Sequence, residues 1–274
     1  MSDLLQLMIA PFVASMVLVA LLAYLGVHVI AREVIFVDLA LAQMAALGST
    51  AALLFDVAPN SATGYAFAFS FTTVGAFVFA MTRTAGGERR IPHEAIIGVV
   101  FVVASAAAIL VADRAPHGAD VIKEVLVGSI LWVTWPTIVR LMIVYAAIGA
   151  AHWLLRRRFM TISLRPADAE TQCWNVRWWD FLFYVLFGVA ITMAVPVAGV
   201  LLVFTFLVVP ALVAFLFTRE TRRLIVISWS CSAIALALGL AVSFRFDLPT
   251  GPVIVCTFGL VLLMAGAVRR MVAT

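Results

Sequence analysis

The sequence has little charge for its length. Of its 274 residues, 12% are charged and 65% are hydrophobic, whereas a soluble domain is about half apolar. Lys123 is the only lysine, so arginine carries nearly all of the basic charge. Because so few charges could not cover a soluble core of this size, the composition predicts an integral membrane protein whose polar surface is confined to loops.

Several motifs of enzymes are also missing. The single lysine lies in DVIKEV, so the chain has no GxxxxGK[ST] phosphate loop and cannot hold ATP by that device. It has no GxSxG or HExxH motif either. Its cysteines, Cys173, Cys231 and Cys256, form no CxxC, so nothing indicates a zinc knuckle or a disulfide framework. We expect no cofactor in this chain, and any ATP-driven step would need a partner that hydrolyses ATP.

Long apolar runs dominate the sequence. A run of about 17–25 residues can cross the hydrocarbon core as a helix, in which the backbone groups bond within the segment. Nine such runs lie at 5–30, 34–55, 63–82, 94–112, 135–155, 178–195, 198–217, 223–243 and 250–268. The sequence therefore predicts an all-α integral membrane protein with nine transmembrane helices in a single domain, 1–274. The first run lacks the basic flank of a cleavable signal, so we expect it to be retained.

Arginine is distributed unevenly among the loops. Fourteen of the eighteen basic residues fall in alternate loops and at the C-terminus: Arg32, Arg83, Arg89, Arg90, Arg156, Arg157, Arg158, Arg165, Arg177, Arg219, Arg222, Arg223, Arg269 and Arg270. Because Arg-rich loops stay in the cytoplasm, we expect the N-terminus outside and the C-terminus inside. This orientation depends on the count of nine.

The run at 34–55 is unusual because it carries Asp38 and Gln43 in its interior. An ionisable group at membrane depth is costly and rarely faces lipid. Small residues share the helical stripe of Asp38, and such residues let a neighbouring helix come close. They are Ala42, Ala45, Ser49 and Ala52. Two interpretations stay open: a hydrogen-bonded Asp in a tight helix contact, or an Asp in a substrate path.

Other polar residues in or beside the runs are few. Carboxylate oxygens and imidazole nitrogens are ligands that zinc, manganese and iron accept. His117 and Asp120 have the spacing of one helical turn, although a solvated loop explains them more simply. Glu94 could favour a helix N-terminus, and Asp247 could be a polar residue in the turn before the last run. Taken alone, none of them establishes a metal site.

Two loops are long enough to hold structure of their own. Residues 113–134 begin polar and become apolar from Val125, which suits a re-entrant or interfacial helix because the apolar part is too short to span. Residues 156–177 form the main cytoplasmic loop, in which Pro166 suits the start of a short helix. This second loop is either a solvated connector or a docking surface for a cytoplasmic partner.

Four segments together resemble the permease family of zinc, manganese and iron ABC importers. They are DLALAQMAALGSTAAL, similar to the family's GDALSHAALPG; EAIIGVVFVVASAAAILVAD, similar to D-x-AIGIVF; AVPVAGVLLVFTFLVVPALVAFLFTR, similar to VGVLLVxALLxxPAATA; and FDLPTGPVIV near the C-terminus. The segments occur in the family's order and cover most of the chain.

The resemblance implies a permease subunit that forms a homodimer in the bacterial inner membrane. Its partners would be two copies of a cytoplasmic ATPase, which bind the ATP, and an extracytoplasmic metal-binding receptor. Nucleic acid is not among the expected partners. The loop 156–177 matches the position of the family's coupling helix, which touches the ATPase. The residues expected to take part in that contact are Arg165, Asp168 and Glu170.

The resemblance also exposes a departure at the 34–55 run. Aligned without a gap, the family's Asp and His fall on Leu39 and Gln43. The carboxylate lies instead at Asp38, about 100° around the helix, and an amide, which is a weak ligand, replaces the imidazole. This change is compatible with transport because an ion in a conducting path must bind weakly enough to leave.

We therefore expect the permease subunit of an ATP-driven importer of zinc, manganese or iron. The expected substrate path comprises Asp38, Gln43, Glu94 and Asp247. The expected metal ligands are Asp38, His117 and Asp120. The alternative is an ion- or proton-coupled secondary transporter without an ATPase, against which stand the few carboxylates in the runs and the lack of repeat symmetry. A membrane enzyme is disfavoured because no nucleophile cluster or metal triad is present.

Overall fold

The computed structural model describes residues 2–59, 61–82, 92–114, 128–172 and 174–273. All regular structure in these residues is helical, with no strand. The helices are α1 (Ser2–Ala31), α2 (Val37–Leu53), α3 (Ala62–Thr82), α4 (His93–Ala112), a 3-10 helix (Ile130–Trp132), α5 (Trp135–Leu154), α6 (Arg156–Leu164), α7 (Pro166–Thr171), α8 (Val176–Phe217), α9 (Thr221–Phe246) and α10 (Thr250–Ala273). The predicted all-α fold class is thereby confirmed.

Seven helices in the described part of the chain are long and apolar enough to cross a membrane, namely α1, α3, α4, α5, α8, α9 and α10. Helix α2 is apolar but has only 17 residues, fewer than the roughly 20 that an upright span needs. Helix α8 has 42 residues and covers two of the predicted runs. The count of nine crossings and their orientation therefore stay predictions.

The long helix α8 has one backbone break, at Gly199. This residue has φ 75° and ψ 158°, a combination that is open almost only to glycine. Pro196 lies three residues earlier and, like any proline within a helix, cannot donate the usual backbone hydrogen bond. The sequence places a boundary between two runs here, and in the structure two helical segments of α8 meet at the kink at Gly199.

One compact unit contains the described residues of Met1–Ile30, Val127–Ala147 and Pro196–Thr274. Helix α1 approaches the second half of α8 so closely that a side chain at Gly26 would meet the carbonyl group of Leu207. A small buried cluster formed by Val27, Ala211, Ala214 and Leu224 continues this contact toward α9. Close helix packing of this kind is how membrane helices associate without a hydrophobic driving force.

The other compact unit contains the described residues of Ala31–Leu126 and Ile148–Val195. In it, α2 packs on both α3 and α4. A methyl group added at Gly48 would lie 2.7 Å from the carbonyl oxygen of Phe67. On the facing helix, one added at Gly75 would lie 3.2 Å from side-chain atoms of Leu41 and Met44. Glycine on both helices thus brings the backbones of α2 and α3 close together.

The substitution Gly48→Ala should therefore destabilise the protein. Because the added methyl group would press on backbone atoms, we expect a loss of about 1–3 kcal/mol in the free energy of unfolding. The matched control is Gly98→Ala on α4, where an added methyl group meets no atom within 4 Å. Thermal unfolding in detergent should show a lower melting temperature for Gly48→Ala only. Equal melting temperatures for the two variants would contradict the close approach of α2 and α3.

Candidate substrate path and coupling region

Helix α2 presents its small-residue stripe to the protein interior, as the sequence predicts. Asp38 is 1% exposed and Gln43 is 9% exposed. The small residues of the stripe are buried or half-buried: Ala42, Ala45, Ser49 and Ala52. Asp38 lies in the first turn of the helix, where the helix dipole favours a negative charge. A carboxylate is thus held inside the protein at the start of an apolar helix.

The carboxyl group of Asp38 is only partly hydrogen-bonded by the described residues around it. Its Oδ1 atom is buried and makes no hydrogen bond to any residue in the described ranges. A buried oxygen without a partner is costly, and structural carboxylates are normally bonded through both oxygens. Both interpretations of Asp38 therefore stay open, and its second oxygen is the feature that a role in a substrate path would use.

An open cavity of about 560 Å³ lies beside the same helix. Its walls come from α2, α3 and α4 and are almost wholly apolar, with Met44, Leu47, Val74, Val100 and Val103 among them. Divalent cations need oxygen, nitrogen or sulfur ligands. This cavity is therefore not a metal site, although it adjoins the helix that carries Asp38.

The other predicted path residues lie in different settings. Glu94 is half-buried in the first turn of α4, and its Oε1 makes no hydrogen bond within the described ranges. Asp247 is exposed and ends α9 with φ 51°, which agrees with its simpler interpretation as a turn residue. His117 and Asp120 lie outside the described residues. Among the residues that are described, no three His, Cys, Asp or Glu side chains group so that they could hold a metal ion.

The main predicted cytoplasmic loop is largely helical. Helix α7 begins at Pro166, as predicted, and is preceded by α6, which the sequence did not indicate. Arg165, between the two helices, and Asp168 on α7 are exposed. Glu170 belongs to α7, but its side chain lies outside the described set. These helices give the loop a defined shape on which a partner could dock.

A buried ion pair lies beside this loop. Nη1 of Arg32 is 2.7 Å from Oδ1 of Asp180, and the two side chains are 1% and 0% exposed. The Nε of Arg32 donates a hydrogen bond of 2.7 Å to Oγ of Ser163 on α6. The guanidinium also lies 3.9 Å from the centre of the Phe183 ring. One side chain therefore joins the α1–α2 link to both α6 and α8.

A cluster of rings adjoins this ion pair through Phe183. The ring of His152 lies 4.7 Å from that of Phe159 and 5.7 Å from that of Phe183, measured between centres. Phe159 and Phe183 are also in contact, with their centres 5.8 Å apart. Because both charged side chains are buried, removing one of them would leave the other poorly compensated.

The sequence analysis missed the pairing of these two residues. It treated Arg32 only as a topology signal, and it left Asp180 out of the candidate residues. The available signal was a carboxylate near the start of an apolar run, which by rule needs a partner. The partner itself is 148 positions away, so spacing along the chain could not identify it.

Comparison with known proteins decides the family. The sequence model of the ABC 3 transport family matches residues 4–269. The chain belongs to the ABC 3 transport family. The resemblance to permeases of metal ABC importers is thereby confirmed. With seven long apolar helices in the described part of its chain, this ABC 3 family member is a multi-pass protein of the bacterial inner membrane.

Individual relatives agree with the family assignment. The chain is 27% identical over 218 residues to the manganese transport system membrane protein MntC of Listeria monocytogenes, covering 76% of each chain. It is also 27% identical over 219 residues to the chelated iron transport system membrane protein YfeC of Yersinia pestis, covering 78% of this chain and 74% of the relative. The fold is similar to that of PsaBC from Streptococcus pneumoniae, solved in complex with a Fab, with TM-score 0.77, 21% identity and coverage of 93% and 89%.

The buried ion pair should matter strongly for stability in this ABC 3 family member. The substitution Asp180→Leu removes the carboxylate that faces the buried guanidinium, so the free energy of unfolding should fall by about 3–5 kcal/mol. Adding Arg32→Met should recover most of that loss, since apolar replacement of a whole buried pair is often neutral. Thermal unfolding of both variants in detergent measures the difference.

The matched control for this prediction is Glu220→Leu. Glu220 pairs with Arg223 at 2.8 Å, but both side chains are more than half exposed, so its loss should have no measurable effect. If Asp180→Leu unfolds at the same temperature as Glu220→Leu, the ion pair does not have the energetic role that its burial implies.

Proposed function

We propose that this chain is the membrane-spanning permease subunit of an ATP-driven importer of divalent transition metal ions. Family membership and the manganese and iron relatives support the general activity. The observation that carries the proposal to particular residues is Asp38, a buried carboxylate on an apolar helix with one oxygen that no described residue bonds. A buried carboxylate of this kind suits a passing cation.

The chemistry of the path favours a hard cation. Asp38 and Gln43 offer carboxylate and amide oxygens, which suit Mn²⁺ better than zinc, an ion that prefers imidazole and thiolate. The two residues are five positions apart, or about 7.5 Å along the helix axis. They also point about 140° apart around the helix. They would therefore act as separate weak contacts and not as ligands of one tight site, and weak contacts allow an ion to move on.

The proposed topology has nine crossings, with the N-terminus outside and the C-terminus in the cytoplasm. In this arrangement α2 is a short crossing, and α8 supplies two crossings that meet near Gly199. The whole of 1–274 acts as one permease domain and pairs with a second copy. An external receptor delivers the ion near Asp247 and the 113–124 loop, where His117 and Asp120 are proposed as ligands, and Glu94 contributes to the path.

Helices α6 and α7 lie on the cytoplasmic side in this topology. The exposed residues Arg165 and Asp168, together with Glu170, are proposed to contact the ATPase. Binding and hydrolysis of ATP on that partner would move this segment and switch access to the path. The permease itself supplies the route, and the ATPase supplies the energy.

The substitution Asp38→Asn tests the proposed path. It keeps the size of the side chain but removes its charge, so ATP-driven uptake of Mn²⁺ by the reconstituted complex should fall at least about tenfold, as when a group that supports metal binding is lost. The matched control is Asp56→Asn. Asp56 is an exposed residue just beyond the end of the same helix, and its substitution should leave uptake unchanged.

Two outcomes would contradict the proposal. Normal uptake by a fully inserted Asp38→Asn variant would remove Asp38 from the path. Driven uptake by the chain alone, in liposomes that contain no ATPase, would instead identify a secondary transporter.

A further inference from the structure

We propose that Arg32 is a positioning residue that ties the ATPase-docking segment α6–α7 to the start of α2. Through this tie, a displacement of the docking segment would reach the helix that carries Asp38. The inference rests on the proposed function, because it concerns how the partner's ATP cycle acts on the path. It adds a residue set to which neither the family match nor the sequence pattern assigns a role: Arg32, Ser163 and Asp180.

The first half of the tie is the hydrogen bond between Arg32 and α6. Nε of Arg32 donates to Oγ of Ser163 at 2.7 Å. Ser163 is the second-last residue of α6 and lies two positions before Arg165, which is exposed and begins the proposed docking surface. A displacement of that surface would therefore be transmitted to the guanidinium group through Ser163 and its hydrogen bond.

The second half of the tie is the link between α1 and α2. Arg32 follows the last residue of α1, and α2 begins five positions later at Val37. The link is a tight turn, in which the N–H of Val37 donates to the carbonyl oxygen of Val34 at 3.2 Å and Glu33 has φ 57°. Because the link is short and held in a hydrogen-bonded turn, it has little conformational freedom. A shift of Arg32 would therefore move the first turn of α2, where Asp38 lies.

The ion pair with Asp180 gives this tie a fixed geometry. The guanidinium bonds α6 through Nε and α8 through Nη1, and both hydrogen bonds are 2.7 Å long. A planar guanidinium holds its partners in fixed directions, unlike flexible apolar packing. Stability alone does not require such a pair, because apolar residues often serve as well in a protein interior. The charged pair therefore adds a directional connection between the α1–α2 link, α6 and α8.

The decisive experiment separates coupling from stability. The Arg32→Met/Asp180→Leu variant is assembled with its ATPase and receptor in liposomes, and Mn²⁺ uptake and ATP hydrolysis are measured together. We expect ATP hydrolysis to continue while the Mn²⁺ transported per ATP falls at least about fivefold, the lower end of typical coupling between two sites. An unchanged ratio of Mn²⁺ to ATP would overturn the inference.

A milder variant decides the question if the double variant does not assemble. Ser163→Ala removes the hydroxyl that accepts from Arg32 but leaves both charges in place, and the ratio of Mn²⁺ to ATP should fall about twofold or more, as expected for one hydrogen bond. The control is Ser232→Ala on α9, which removes a buried hydroxyl that donates only to Ser228 of the same helix. Equal ratios in these two variants would overturn the inference.

The same assay distinguishes this inference from the proposed function. If the unsubstituted complex takes up no Mn²⁺ with ATP, the proposed function is wrong. If the unsubstituted complex takes up Mn²⁺ and the variants transport as much per ATP, only the role given to Arg32, Ser163 and Asp180 is wrong.

Discussion

A buried charge must be compensated by other groups of the protein, because an interior without water solvates it poorly. This constraint explains the arrangement of Arg32 with Asp180 and the setting of Asp38. Arg32 and Asp180 satisfy it with each other at 2.7 Å. Asp38 satisfies it incompletely, since Oδ1 is buried and no described residue bonds it. The first carboxylate is thus part of the framework, whereas the second is the one proposed to meet a passing cation.

The packing around α2 supports this division of roles. Gly48 and Gly75 let α2 and α3 approach closely, and the small-residue stripe turns Asp38 toward the interior. A helix held by close backbone contacts keeps its carboxylate in one place, as a path for ions requires. The adjoining cavity is almost wholly apolar and therefore offers a cation no set of ligands.

Local patterns were enough to predict the long apolar helices, the buried stripe of α2 and the start of α7 at Pro166. They also placed a boundary between two runs at Pro196 and Gly199, and the two helical segments of α8 meet there at the non-helical backbone of Gly199. They also gave no indication of α6, whose arginine-rich sequence lacks a long apolar face. The pairing of Arg32 with Asp180 depends on tertiary packing across 148 positions, and no spacing rule for one chain can supply it.

The central claim is that Asp38 faces a path that water and ions can enter. The most direct measurement is the reaction of an Asp38→Cys variant with a membrane-impermeant thiol reagent, in the assembled complex and with Cys173, Cys231 and Cys256 replaced by Ser. The account predicts that the introduced thiol reacts and that ATP changes the side from which the reagent reaches it. No reaction from either side in any nucleotide state, while an Asp56→Cys control reacts, would contradict it.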